Sequence, residues 1–131
     1  MPFYHIQHTV HLNPAQRQEL ATTLTSLHSQ TFNAPSLFVN IKFTARIDSK
    51  AEDFFVGGNR KDAINVIFAY VRGGGGRGQE VFDNLAKEME ACWNAVVGNK
   101  DRLQGVFIVP GVVARERSLA IPVVCIQRTW R

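Results

Sequence analysis

The hydrophobic positions in the first third of the chain change period twice. Residues 3–10 alternate between apolar and polar side chains, with Tyr4 on the apolar face, which predicts a β-strand. Residues 14–32 carry leucines at helical spacing, and the preceding Asn13 is a typical N-cap for a helix that begins with proline. Residues 37–46 alternate again as a strand. The pattern therefore predicts one β-α-β unit.

The rest of the chain repeats this order after a polar connector. Residues 47–62 contain glycines and few apolar positions, so we interpret them as a loop or a short excursion. Residues 64–71 are a nearly continuous apolar strand, and residues 79–97 have one apolar helical face that stops at Gly98. Residues 105–109 then predict a third buried strand, followed by the stretch 112–119 and a short apolar tail, 121–126.

Two successive β-α-β units predict an α/β (α+β) fold in one domain. Right-handed crossovers would place both helices on one face of a four-stranded sheet. The other face of the sheet would then be uncovered, and a second subunit could bury it. Oligomerisation is the expectation, and a monomer whose C-terminal tail covers that face is the alternative.

Composition agrees with an ordinary globular protein. The chain has 131 residues, of which 45% are hydrophobic and 20% charged, which suits a single domain over residues 1–131 with a buried core. No apolar run approaches the roughly 20 residues of a membrane helix, and the first ten residues lack the pattern of a signal peptide. Cys92 and Cys125 have no CxxC spacing, so we expect reduced, buried thiols in a cytoplasmic protein.

The net charge of +4 favours anionic partners. The positive residues are scattered along the chain rather than clustered, which is more typical of a solvated exterior than of a nucleic-acid-binding surface. We therefore expect a small anionic ligand, and neither a nucleic acid nor a membrane as partner.

The first candidate for chemistry is the amino-terminal dipeptide. A small second residue permits removal of Met1, which would leave Pro2 with a free secondary amine. An α-amino group has a pKa of about 7.7–8, so this amine could serve as a general base when neutral and as a general acid when protonated. The alternative is that Pro2 follows Met1 by chance and only starts a strand.

The second candidate is the glycine-rich loop between the strand over residues 64–71 and the next helix. Arg72 and Arg77 flank four glycines, so the backbone can approach a ligand while two guanidinium groups bind a carboxylate. The loop also contains GxGxxG, but no acidic residue near the end of residues 105–109 could hold a ribose, and no GKS or GKT follows. Carboxylate binding is our interpretation, and a flexible surface loop is the alternative.

Other titratable residues are weaker candidates by themselves. His28 is in phase with the apolar face of the first helix, where a histidine is more often a half-buried core residue than a ligand. His5, His8 and His11 alternate between the faces of a strand, so they cannot form one metal cluster there, and we expect no metal. Glu116 lies among arginines and by itself predicts only a solvated carboxylate.

Taken in order along the chain, these features resemble one family. Their set is similar to the tautomerase superfamily, and specifically to its cis-3-chloroacrylic acid dehalogenase branch with the fungal relatives. The matching features are the initial Met1-Pro2, the helix opened by Asn13-Pro14 with His28 fourteen residues after that proline, the segment Phe55-Val56-Gly57-Gly58, the arginines after the strand, and Glu116 six residues before Pro122.

The resemblance implies a role for each matching residue. Pro2 would be the catalytic amine, and Arg72 and Arg77 would bind the substrate carboxylate with assistance from His28. Glu116 would activate water in members that hydrate or dehalogenate. The resemblance further implies a tautomerase-type fold, a small carboxylate substrate, a homotrimer, and no cofactor or metal.

Two departures from the family pattern narrow this hypothesis. Phe107 stands at the substrate-binding position where the branch has a tyrosine that supports water activation, so a hydroxyl is missing and efficient dehalogenation is in doubt. Arg72 and Arg77 are also further apart than is usual in the branch, which makes Arg72 the firmer assignment and could displace Arg77. The expected reaction is keto–enol tautomerisation or conjugate hydration with weak dehalogenation. A non-catalytic module that binds an anion or a nucleic acid is the alternative.

Overall fold

Two helices and six strands make up the described part of the protein, which comprises residues 1–46 and 53–111 of a computed structural model. The helices and strands, in chain order, are β1 (Phe3–His8), α1 (Pro14–Phe32), β2 (Asn40–Ala45), β3 (Phe55–Val56), β4 (Asn59–Arg60), β5 (Asn65–Val71), α2 (Gln79–Val97) and β6 (Gly105–Pro110). The predicted stretches 112–119 and 121–126 lie outside the described residues.

Four of the strands form one mixed sheet in the order β2-β1-β5-β6. β1 pairs in parallel with β2, β5 pairs in parallel with β6, and β1 and β5 join the two pairs in antiparallel register. Each parallel pair is connected through one helix, and the two helices pack against each other. The predicted α+β fold of two β-α-β units with a four-stranded sheet is thereby confirmed.

The first helix begins where the sequence predicts it. The Asn13 side chain accepts a hydrogen bond from the Gln16 backbone N–H at 2.8 Å, and the Gln16 side chain accepts one from the Asn13 N–H at 3.0 Å. This reciprocal capping box satisfies donors that the first turn would otherwise leave unpaired. The helix buries Leu20, Leu24 and His28 on one face.

The second helix buries a matching face and also ends as predicted. Leu85, Met89 and Trp93 are its buried residues, and Gly98 follows with a φ of +94°, which a side chain would disfavour. The buried indole of Trp93 donates a hydrogen bond to the carbonyl of Asp101 at 2.8 Å, so its polar N–H is satisfied.

The hydrophobic core lies between the two helices and one face of the sheet. The strands contribute every second residue to it, in keeping with their period of two. The fully buried core residues are Tyr4, Ile6, Leu12, Leu20, Leu24, Ile67, Ala69, Val71, Leu85, Met89 and Trp93.

The opposite face of the sheet is apolar but much more open. Phe68 pairs in register with Phe107, and their rings stack at 5.3 Å. Tyr70 is 37% exposed, Val109 is 42% exposed and Phe107 is 53% exposed. Exposed aromatic and branched side chains on one sheet face are typical of a surface that another chain covers.

Two predicted strand boundaries differ from the structure. The second strand begins at Asn40 rather than at Leu37, because Ser36–Phe38 form a single 3-10 turn after Pro35. The first strand ends at His8, two residues earlier than predicted.

The connector and the last strand also differ from prediction. Part of the predicted loop forms a hairpin, β3–β4, whose turn residues Gly57 and Gly58 have positive φ angles of 57° and 78°. Such angles are typical of tight hairpin turns. β6 is at the edge of the sheet, so it is only partly buried rather than a buried strand. Within the described ranges, neither helix is long and apolar enough to cross a membrane.

The capping box gives a first testable prediction. Asn13→Ala removes the acceptor for the Gln16 N–H and should lower the free energy of unfolding by about 1 kcal/mol in urea titrations. Asn99→Ala is the matched control, because Asn99 is exposed beyond the end of α2. Equal losses in both variants would show that the cap does not stabilise α1.

Candidate functional site

The antiparallel pairing of β1 with β5 places the start of the chain beside the glycine loop. Phe3 is in register with Tyr70, so Pro2 lies near the end of β5, where Arg72 follows. Pro2 is buried, and its carbonyl accepts hydrogen bonds from the backbone N–H of Asn40 at 3.1 Å and from the Asn40 side chain at 3.4 Å. The start of β1 is thereby tied to both neighbouring strands.

A cavity of about 350 Å³ opens at this end of the sheet. Its lining residues come from the start of β1, the end of α1, the turn that follows α1, and the glycine loop. They are Met1, Pro2, His28, Phe32, Asn33, Ala34, Pro35, Phe38, Arg72 and Arg77. Four of the six predicted site residues, Pro2, His28, Arg72 and Arg77, are therefore together.

The glycine loop folds so that Arg77 returns to the cavity. Gly74, Gly75 and Gly76 have φ angles of 79°, 65° and 78°, a left-handed run that residues with a Cβ rarely adopt. The Arg77 guanidinium donates a hydrogen bond to the Arg72 carbonyl at 2.6 Å. The longer spacing between the two arginines therefore does not take Arg77 out of the cavity.

An aromatic ring supports both Arg77 and His28. The Arg77 guanidinium carbon lies 3.9 Å from the centre of the Phe32 ring, a cation–π distance. The His28 ring lies 4.7 Å from that of Phe32. Burial and the neighbouring Arg72 lower the pKa of Arg77, but a guanidinium remains charged at any physiological pH.

His28 is a neutral side chain in this setting. It is 2% exposed, and burial, followed by the charges of Arg77 and of the amino terminus, lowers its pKa to about 4. Its Nδ1 lies 2.6 Å from the hydroxyl of Tyr4. Burial raises the pKa of Tyr4, so the phenol keeps its proton.

Tyr4 and Phe32 were not among the predicted site residues. Both appeared in the sequence only as members of apolar faces. A signal for Tyr4 was present, since a tyrosine on the core side of a strand needs a partner for its hydroxyl. The sequence did not indicate that the partner would be His28.

The cavity combines positive charge with an apolar wall. None of the described residues that line it is acidic, whereas Arg72 and Arg77 both line it. Phe32, Phe38 and Pro35 form the apolar part of the wall. Such a cavity suits a small organic anion with a carboxylate at one end and carbon atoms at the other.

The remaining two predicted residues are elsewhere. Phe107 stacks on Phe68 on the open face of the sheet and does not line the cavity of its own chain. Glu116 lies outside the described residues. Gly73 packs closely against Gly111, since a Cβ added at Gly73 would lie 3.1 Å from the Gly111 nitrogen.

A larger, more open groove of about 640 Å³ lies between α1 and β2. It includes His8 and Arg17 but none of the predicted site residues. In residues 1–46 and 53–111, no group of three or more histidine, cysteine, aspartate or glutamate side chains is arranged to hold a metal ion.

The low pKa of His28 predicts a pH dependence of stability. A histidine in the unfolded chain takes up its proton near pH 6.5, and folded His28 does so only near pH 4, so the unfolded state binds more protons between these values. Stability should therefore fall as the pH drops from 7 towards 4. The contribution of His28 to this fall is about 2–3 kcal/mol.

Urea titrations of the wild type and of His28→Gln between pH 7 and 4.5 measure this contribution. The variant should lose less stability than the wild type over this range, whereas His11→Gln, which changes an exposed histidine, should behave as the wild type. Parallel curves for the wild type and His28→Gln would contradict the prediction.

Comparisons with known proteins place the fold and the family. Curated protein sequences give no match. Three solved structures that share the fold are similar to this chain. N1, a member of the cis-3-chloroacrylic acid dehalogenase (cis-CaaD) family, has 19% identity and a TM-score of 0.68, covering 98% of this chain and 89% of its own. FG41 malonate semialdehyde decarboxylase inhibited by 3-bromopropiolate has 16% identity and a TM-score of 0.64, covering 92% and 99%. A fused 4-OT asymmetric trimer has 17% identity and a TM-score of 0.62, covering 83% and 84%.

The family model provides the sequence-based assignment. A model named Tautomerase_3 and described as "Putative oxalocrotonate tautomerase enzyme" matches residues 1–127, nearly the whole chain. The resemblance inferred from Pro2, His28, the arginines and Glu116 is thereby confirmed at the level of the family. The chain belongs to the Tautomerase_3 family of the tautomerase superfamily.

Proposed function

We propose that this protein is a cofactor-independent enzyme whose Pro2 amine transfers protons on a small unsaturated or 2-oxo carboxylic acid. The observation that carries the proposal is the convergence of Pro2, His28, Arg72 and Arg77 on one cavity. These residues come from three separate parts of the chain. The proposal also includes the expected cytoplasmic location.

The two guanidinium groups bind the substrate carboxylate. Arg77 is fixed by its hydrogen bond to the Arg72 carbonyl and by the Phe32 ring, so little side-chain freedom remains to be lost on binding. No acidic side chain is among the lining residues in 1–46 and 53–111, so none of these competes with the substrate for Arg72 and Arg77. Neutral His28 adds a hydrogen bond without adding charge.

The reaction requires removal of Met1. In the chain as translated, the Pro2 nitrogen is an amide and cannot act as a base, and Met1 itself lines the cavity. After its removal, Pro2 carries a secondary amine in a cavity with two cations. Nearby positive charge and burial both favour the neutral amine. In keto–enol tautomerisation, this amine takes a proton from one substrate atom, the enol oxygen or the carbon, and returns it to the other.

Conjugate hydration is the second reaction within the proposal. A protonated Pro2 would donate a proton to carbon while Glu116 activates water, a role that rests on the family resemblance alone. Phe107 lacks the hydroxyl of a tyrosine, so dehalogenation of 3-haloacrylates should be weak. Since Phe107 lies on the other face of its own sheet, it can contact substrate only in the cavity of a neighbouring copy.

We also propose a homotrimer assembled through the open face of the sheet. Phe107, Val109 and Tyr70 expose apolar surface there. The fused 4-OT protein of the same fold is described as a trimer, which supports this stoichiometry.

The Pro2 hypothesis predicts the behaviour of one variant. Pro2→Ala should lower kcat/KM on phenylenolpyruvate by roughly 100-fold or more, because a primary amine replaces the positioned secondary amine. Turnover of 3-haloacrylates by the wild type should be much slower than that of phenylenolpyruvate. Intact mass spectrometry of the wild type should first show that Met1 is absent.

Pro14→Ala is the matched control for this experiment, since Pro14 is exposed at the start of α1 and does not line the cavity. Its kcat/KM should equal that of the wild type. Retained Met1, or a Pro2→Ala variant that is as active as the wild type, would overturn the catalytic role. Normal anion binding by Pro2→Ala without any turnover in the wild type would favour the binding module instead.

The proposed homotrimer predicts a molecular mass for the wild type and a smaller mass for a variant of the open sheet face. Light scattering after size exclusion should give three times the chain mass of 14.7 kDa. Val109→Asp places a charge on the open sheet face and should give smaller species, whereas Phe55→Asp, on the β3–β4 hairpin, should remain trimeric. A wild-type protein that is monomeric at micromolar concentration would contradict the proposal.

A further inference from the structure

The hydroxyl of Tyr4 is buried in the core, next to His28 of the candidate site. Tyr4 is 0% exposed, and its hydroxyl oxygen lies 2.6 Å from His28 Nδ1. The two rings meet edge to face at 86°, with their centres 5.6 Å apart. In the described residues, His28 Nδ1 is the one hydrogen-bond partner of this hydroxyl.

The protonation state of Tyr4 determines the direction of this hydrogen bond. A phenol that keeps its proton must donate it, because a buried donor without an acceptor is destabilising. The acceptor available to Tyr4 is the Nδ1 lone pair of His28. Nδ1 therefore carries no proton, and the proton of the neutral imidazole is on Nε2.

The cavity receives the other side of the same ring. His28 lines the cavity, and its Nε2 has no hydrogen-bond partner among the side chains and backbone groups of residues 1–46 and 53–111. Tyr4 holds one edge of the ring and Phe32 packs against it at 4.7 Å. The imidazole is therefore oriented before any ligand binds.

We infer that Tyr4 is a positioning residue that holds His28 in the Nε2–H tautomer, so that this N–H donates a hydrogen bond to the carboxylate or 2-oxo oxygen of the bound acid. The ligand in this inference rests on the proposed function, but the tautomer does not. With the Nδ1–H tautomer, Nε2 would present a lone pair to an anion, which is repulsive. Tyr4 thus makes His28 a neutral donor in the cavity that Arg72 and Arg77 also line.

The tautomer can be measured without any substrate. Long-range ¹H–¹⁵N correlation spectra of the uniformly labelled protein at pH 7 distinguish the two tautomers, and His28→Gln assigns the His28 signals by their loss. The wild type should show the pattern of Nε2–H. Tyr4→Phe should shift the His28 nitrogens towards a mixture of tautomers, because the acceptor role of Nδ1 is no longer fixed. Tyr70→Phe removes the hydroxyl of a different tyrosine, on the open face of the sheet, and should leave the His28 signals unchanged.

Kinetics then separate positioning from a structural effect. Tyr4→Phe should lower kcat/KM on phenylenolpyruvate by roughly 3- to 30-fold, the range expected for weakening one hydrogen bond to a charged group. In the His28→Gln background, the same change should have almost no further effect, because Tyr4 acts through His28.

An Nδ1–H pattern in the wild type would overturn the inference. An equal loss from Tyr4→Phe with and without His28 would also overturn it, since Tyr4 would then act by another route. If Tyr4→Phe does not fold, the wild-type spectrum decides. Failure of the proposed function is a separate result, seen as an Nε2–H tautomer in a protein for which Pro2→Ala changes no turnover.

Discussion

The antiparallel pairing of β1 with β5 is the constraint on which the candidate site depends. Two β-α-β units could each form a parallel pair without bringing their functional residues together. Because β1 and β5 run in opposite directions, the start of β1 lies beside the end of β5. Pro2 and Arg72 are thereby neighbours although seventy positions separate them. α1 runs back alongside β1, so its last turn brings His28 and Phe32 to the same end of the sheet.

Positive charge in this cavity is stabilised by contacts that keep the Arg77 guanidinium in place. Arg77 lies over the Phe32 ring and donates to a backbone carbonyl, and both contacts suit a cation. Burial, together with the positive charges of Arg77 and of the amino terminus, explains why His28 stays neutral. Phe32 therefore contacts both the Arg77 guanidinium and the His28 imidazole, so a charged group and a neutral one lie on the same ring.

The sequence predicted the helices and the four main strands because these depend on local rules of periodicity and capping, whereas its prediction of four cavity residues came from their chemistry and from the family resemblance. Asn13 illustrates this, since its capping box needs only residues of the first turn. The partnership of Tyr4 with His28 could not be predicted, because 24 residues separate them and only the packed core brings them together. The return of Arg77 to the cavity depends on three consecutive glycines with left-handed φ angles. Glycine can adopt such angles, but its presence in the sequence does not show that it does. The strands of the β3–β4 hairpin are two residues long, too short for any period to be read.

The described part of the cavity brings together the groups that the proposed proton transfer would use. A tautomerase needs a base, an anion-binding group and a donor for the oxygen of the enol, and Pro2, the two arginines and His28 can supply all three. Hydration also needs a group that removes a proton from water, and none of the residues that line the cavity in residues 1–46 and 53–111 is a carboxylate. The base for water must therefore come from beyond these lining residues. The proposed tautomerisation uses residues that the described part of the fold brings together, and the proposed hydration uses Glu116 in addition.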